Sequence, residues 1–115
     1  MKNKSKELFV ALAMEAGLRF SEENGALWGE LQGYPVVIYL PNENYPNIFQ
    51  AVFGGTLHGG TMDKQDTKEL RKSVKGITRV EATATSISIV FRASNSGDAA
   101  SILNTLANGL RQKGF

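Results

Sequence analysis

The sequence predicts an α+β domain: an antiparallel sheet of about five strands with helices packed on it, in the order α-β-β-β-(β)-α-β-β-α. Three observations carry that expectation. Asn24-Gly25 stands between two short alternating runs, the strongest local signal for a hairpin. Ile87, Ile89 and Phe91 alternate strictly and so share one sheet face. Ala99, Ile102, Leu103, Leu106 and Leu110 recur at helical spacing, with Asn104, Asn108 and Arg111 opposite. Hairpins of this kind argue against a parallel, doubly wound sheet. The 115 residues form a single domain, 1–115, with no room for a second core.

The first helix is expected over residues 5–16, with Ser5 as N-cap and Gly17 as stop. Its apolar side chains go almost all the way round. Leu8, Leu12 and Ala16 mark one side, Val10 and Met14 the other, and only Glu7 and Glu15 interrupt the circle. Such a helix is expected to be buried on more than one side. Strands follow at 18–23 and Ala26–Leu31 around Asn24-Gly25. Gln32-Gly33 then turns the chain into a third strand, 34–40, where Pro35 marks an edge or a strand beginning. Residues 41–47 read as a loop, and 48–53 as a short extended segment whose place in the main sheet stays open. Glycines 54, 55, 59 and 60 break the chain. A second helix is expected over 63–75, capped by Thr61 or Asp63 and ended by Gly76. Residues 77–82 and 87–92 read as a hairpin, 94–97 as a cap region, and 98–112 as the last helix.

Composition excludes several classes of function. Hydrophobic residues are 42% and charged residues 21%, which is ordinary for a globular domain. The absence of Cys removes disulfides, thiolate catalysis and Cys-based zinc sites. A single His removes a multi-histidine metal site. No metal or cofactor is expected. No apolar run approaches the length of about 18 residues that spans a bilayer. Lys2, Lys4 and Lys6 ahead of Ala11-Leu12-Ala13 have some features of a secretory signal. However, the apolar stretch is only residues 8–14 and contains the small-residue site itself, so the segment reads as a helix of a cytoplasmic protein. The net charge of +2 hides a division. Residues 7–63 sum to −6 and residues 64–115 to +5, while residues 1–6 add three positive charges. This asymmetry marks either a basic binding face or an attraction between the two halves.

Three surfaces and one loop are candidate sites. Val10 and Met14 of the first helix await another layer of the domain or another chain. Trp28, Tyr34, Tyr39, Tyr45, Phe49 and Phe53 concentrate aromatic residues between positions 28 and 53. If Leu27 and Leu31 face the helices, Trp28 faces outward, and Trp28 with Tyr39 would receive a partner. Lys64, Lys68, Arg71 and Lys75 fall within about 60° on a helical wheel, and Lys72 extends the patch. The cluster is either an anion-binding face or a solvated one. No aromatic residue interleaves with it, which argues against nucleic acid. His58 lies in Gly54-Gly55-Thr56-Leu57-His58-Gly59-Gly60, either a ligand-binding loop or glycine punctuation before a helix. No phosphate-binding lysine motif follows, and no catalytic grouping can be built on local spacing.

The element order α-β-β-β-α-β-β-α, with Leu8 and Leu12 on an N-terminal helix followed by Gly17-Leu18, resembles the type III secretion chaperone-like fold over nearly the whole chain. The resemblance is one of element order, with no residue motif. It implies a small cytoplasmic, often dimeric binder of other polypeptides without enzymatic activity. The first expectation is therefore a non-catalytic protein-binding or self-associating module, with another polypeptide or a second copy in a homodimer as partner. The alternatives are a cytosolic regulatory domain excised from a larger, even membrane-bound, bacterial protein and a small-ligand binder at the His58 loop. In the former, the basic helix would contact anionic lipid or acidic protein. The abrupt end at Lys113-Gly114-Phe115 suits it.

Overall fold

The computed structural model describes residues 3–55, 64–83 and 85–114. The elements run α1 (Asn3–Ala16), β1 (Arg19–Ser21), β2 (Ala26–Leu31), β3 (Tyr34–Tyr39), β4 (Ile48–Gly54), α2 (Lys64–Ser73), β5 (Ile77–Ala82), β6 (Ser86–Arg92) and α3 (Ser96–Gln112). Every strand pair is antiparallel, in one six-stranded sheet of order β1-β2-β3-β4-β6-β5. The α+β class and element order stand as expected, with one strand more. The segment left open, β4, lies in the middle of the sheet between β3 and β6.

Helix α1 begins before the expected cap, so Ser5 lies inside it and is buried. Its end is the expected one. Gly17 takes φ +70°, and the Leu18 N–H donates to the Ala13 carbonyl at 2.8 Å. That bond closes a Schellman turn, and Leu18 after it is buried. Helix α2 stops at Ser73, two residues short of expectation, which leaves Lys75 in the turn ahead of Gly76. Its proposed caps, Thr61 and Asp63, lie outside the described residues. Asn95 caps α3, its Oδ1 accepting from the Asp98 N–H at 2.8 Å. Asp98 returns the arrangement by accepting from the Ser94 N–H at 2.9 Å, so two end donors are satisfied reciprocally.

The turns correct the sequence reading. Ser21 pairs with Ala26, so β1 and β2 are joined by the four residues 22–25, and only Gly25 among them has positive φ. Ser21 Oγ accepts from the Asn24 backbone N–H at 3.3 Å and from its Nδ2 at 3.1 Å, so the side chain closes the loop without the mirror-image turn. The turn with positive φ at both central positions is Gln32-Gly33, at +51° and +88°, between the paired Leu31 and Tyr34. Gln32 is held there from α3. Arg111 donates to its carbonyl, and its Nε2 donates to the Asn104 carbonyl at 3.4 Å. Pro35 marks a strand beginning, not a sheet edge, because β3 runs between β2 and β4. The β3–β4 register starts at Val36↔Phe53, past the residue that has no N–H to give.

The buried strand residues share one parity. Leu27, Leu31, Val36, Ile38, Phe49, Ala51, Phe53, Ile87, Ile89 and Phe91 all face one side. The three helices add Phe9, Leu12, Leu70, Ala99, Leu103, Leu106 and Leu110 to the same core. At its centre Phe49 stacks on Phe91, centroids 5.4 Å apart, and Phe9 of α1 lies 6.1 Å from Phe49. The domain is thus two layers, a sheet with all its described helices on one face.

Two substitutions separate backbone strain from crowding. Both Gly17 and Gly76 have positive φ, yet a Cβ on Gly17 meets open space while one on Gly76 would sit 2.8 Å from the Arg92 carbonyl oxygen. Gly17→Ala is expected to cost about 1 kcal/mol and Gly76→Ala distinctly more, read as urea midpoints. Equal midpoints would contradict this placement of the β5–β6 hairpin. Phe91→Ala is expected to remove about 3–5 kcal/mol in the same assay.

Candidate binding surfaces

The parity that buries Leu27 and Leu31 turns Trp28 to the other face of the sheet, as the alternation predicts. Side chains with Trp28's parity continue across the strands. Trp28 pairs with Val37, Val37 with Val52, and Val52 with Ser88. In the next row Ala26, Tyr39, Gln50 and Val90 are partners in sequence. Trp28 is 45% exposed and Val37 43%. Between them a recess of about 340 Å³ is lined by Trp28, Pro35, Val37, Val52 and the backbone of Gly29 and Gly54. Gly54 forms part of its floor because a Cβ there would press on the Pro35 ring, 3.1 Å away. Gly29 serves the opposite face, where Leu18 Cδ2 occupies the space a side chain would take.

Polar groups bound this apolar strip. Arg19 lies over the Trp28 ring, 5.0 Å from its centroid, and holds the indole against the sheet. Gln50 Nε2 donates to Ser88 Oγ at 2.8 Å. Tyr39, the other predicted aromatic contact, is half-buried on the same face. Val37, Val52 and Pro35 are not among the contact residues that the sequence suggests. Val52 became legible only once β4 entered the main sheet, since its parity is then set by Phe49, Ala51 and Phe53.

Val10 and Met14 are exposed, Met14 to 81%, so no other layer of the described domain covers that side of α1 as the all-round apolar pattern suggested. The core face of α1 carries Phe9, Leu12 and Ala13. Val10 and Met14 therefore lie on the far side of the helical layer from Trp28 and Tyr39. The structure divides the predicted contact residues between two surfaces.

Helix α2 presents Lys64, Lys68, Arg71 and Lys72 to solvent, and Lys75 is exposed in the turn beyond. Its acidic side is engaged with α3. Lys113 Nζ lies 2.5 Å from Glu69 Oε2 and 3.5 Å from Asp66 Oδ1. The hydrogen bond to Glu69 holds the Lys113 ammonium above the ordinary lysine range; desolvation works against it, and the Glu69 and Asp66 charges add to it. At the other end of the molecule Lys6 bonds Glu22 at 2.8 Å and holds that carboxyl below its ordinary value. Of the remaining features, a 510 Å³ cleft runs between Lys4, Glu7 and Leu8 of α1 and Pro46, Asn47 and Ser94. Among the described residues no three His, Asp or Glu side chains cluster as metal ligands would, and no helix is long and apolar enough to cross a membrane. His58 and its loop lie outside the described residues. Comparison of the chain with protein-family models, with curated proteins and with solved structures finds no match.

The Lys113 contacts generate a pH-dependent expectation. A raised folded-state pKa stabilises the fold fully below the unfolded lysine value of about 10.4, and that contribution disappears as pH rises through the folded value. The difference in melting temperature between the native chain and Lys113→Met is therefore expected to be constant from neutral pH to about pH 9 and to shrink above about pH 10.4. Because the pair is partly solvated, the difference at neutral pH should correspond to under about 1 kcal/mol. A gap that widens in alkali would contradict the assignment.

Proposed function

We propose that this domain is a non-catalytic protein-binding module that self-associates through the sheet face opposite its described helices. One observation carries the reading: the described helices all pack on one side, and the other side is led by a row of Trp28, Val37 and Val52. Antiparallel sheets can leave one face to water, but then that face is polar. Here polar residues such as Gln50, Ser88 and Glu30 surround the apolar strip without interrupting it. Pro35 and Tyr39 widen it.

Size favours a second copy as the occupant. Five strands of about 20 Å and the short β1, spaced about 4.8 Å apart, present roughly 550 Å² in projection. Side-chain relief brings such a face close to the roughly 800 Å² per partner of a standard interface. Two copies related by a two-fold axis would stack their sheets about 10 Å apart, as the layers of a β-sandwich do, with each Trp28 near the apolar strip of the other. The polar fraction of the face suits a dimer that exchanges rather than an obligate one. The element-order resemblance to polypeptide-binding chaperones points to the same class of activity.

Sedimentation velocity across a concentration series tests the proposal. The native chain is expected to dimerise. Val37→Lys should be monomeric at every concentration with an unchanged circular dichroism spectrum, while Met14→Asp on the other surface should leave the dimer intact. A native chain that stays monomeric throughout, or a dimer lost in Met14→Asp and kept in Val37→Lys, would contradict it.

A further inference from the structure

We infer that the outer edge of β5, which no other described strand pairs, together with the basic face of α2, is a docking site for an extended acidic peptide. The site is separate from the open sheet face. β5 pairs with β6 on one side and ends the sheet on the other. The Thr83 N–H donates to the Ser86 carbonyl at 2.8 Å, which makes Thr83 and Ser86 a hydrogen-bonded pair. Counting back along the register, Glu81↔Ser88 and Arg79↔Val90 are bonded pairs as well. Val80 and Ala82, which alternate with them, therefore send their N–H and C=O groups to the unpaired side. These groups are the template onto which a further strand adds.

The surroundings select the occupant. A recess of about 300 Å³ beside the start of β5 is lined by Lys68, Arg71, Lys72 and Ile77. The carboxylates of α2 that could neutralise these cations, Asp66 and Glu69, are directed at Lys113 instead. In an added strand every second side chain lies on the helix side of the sheet. Acidic residues at those positions would meet the three cations while the main chain pairs with Val80 and Ala82. A second copy of this chain is disfavoured here, because its own β5 would bring Val80 and Ala82, and no acidic side chain, to the helix side of the added strand. A membrane surface is disfavoured too, since the apolar face of α2 is turned inward through Leu70, which is 1% exposed, and offers no side chain for insertion.

The probe is a fluorescein-labelled peptide of about eight residues alternating Glu and Val, long enough to cover a strand of ordinary length. Anisotropy with the full chain is expected to show saturable binding at about 10 mM salt that weakens at about 150 mM. Arg71→Glu, on an exposed residue, should weaken it at least tenfold with no change in melting temperature. Two further peptides carry N-methyl groups on all Glu or on all Val residues. They have the same charge, and in an added strand only one of the two sets has its N–H groups directed at β5. One set should therefore lose binding at least tenfold and the other keep it. Absence of binding by the parent peptide, equal binding by the two methylated sets, or an Arg71→Glu chain that binds like the native one would each overturn the inference. So would capture by anionic phosphatidylserine vesicles under conditions where the peptide does not bind. Because Val37→Lys leaves this edge untouched, peptide binding by that variant separates the fate of this site from that of the open sheet face.

Discussion

The pairing of β4 with β6 holds this fold together. It joins the meander of the first four strands to the C-terminal hairpin over a seven-residue register, from Ile48↔Arg92 to Gly54↔Ser86. The same register sets Phe49 opposite Phe91, where the rings stack, and α1 reaches that stack through Phe9. Remove the pairing and what remains is a meander with α1 on it and a hairpin with α2 beside it, bridged by α3, and neither has enough apolar cover to stand alone. Because its partners are distant in sequence, it is also a pairing for which loop-closure entropy must be met before the core can form.

One consequence of this arrangement is polarity along the sheet. The chain enters at β1 and finishes its strands around β5, so the division of charge along the sequence becomes a division in space. Glu22, Glu23 and Glu30 belong to the β1–β2 end, and Lys68, Arg71, Lys72 and Arg79 to the α2–β5 end. Five strand spacings, about 24 Å, separate the two edges, well beyond the screening length of about 8 Å at physiological salt. The ion pairs Lys6–Glu22, Arg79–Glu81 and Lys113–Glu69 each join residues of the same end. The opposite charges thus do not neutralise each other across the molecule, and each end keeps its own field for a partner.

Much of this was legible in the sequence where a single period governs a segment. The stripe of α3 and the alternation of Ile87, Ile89 and Phe91 gave the last helix and β6, and the parity of Leu27 and Leu31 turned Trp28 outward. Legibility failed where a contact distant in sequence decides. Asn24-Gly25 is the stronger local turn signal, yet Gln32-Gly33 adopts the mirror-image turn because Arg111 and Asn104 of α3 hold Gln32 there. Ile48–Gly54 is as long as β6, but nothing local says which strands it pairs with. Its neighbours β3 and β6 supply the pairing that makes it central. With β4 placed, Val52 joins Trp28 and Val37, and a pair of predicted aromatic contacts becomes a continuous apolar strip. The basic stripe of α2 was legible except at Lys75, which the helix end at Ser73 leaves in the turn.

The chain carries its own reporter for the central claim, since its one tryptophan, Trp28, lies in the strip proposed to be covered on association. The direct measurement is Trp28 fluorescence and its quenching by acrylamide over a concentration series spanning nanomolar to tens of micromolar. If the open sheet face is the interface, emission should move to the blue and quenching should fall together as concentration rises, with Val37→Lys holding the exposed values throughout. A Trp28 that remains equally open to water and quencher at every concentration would contradict the account.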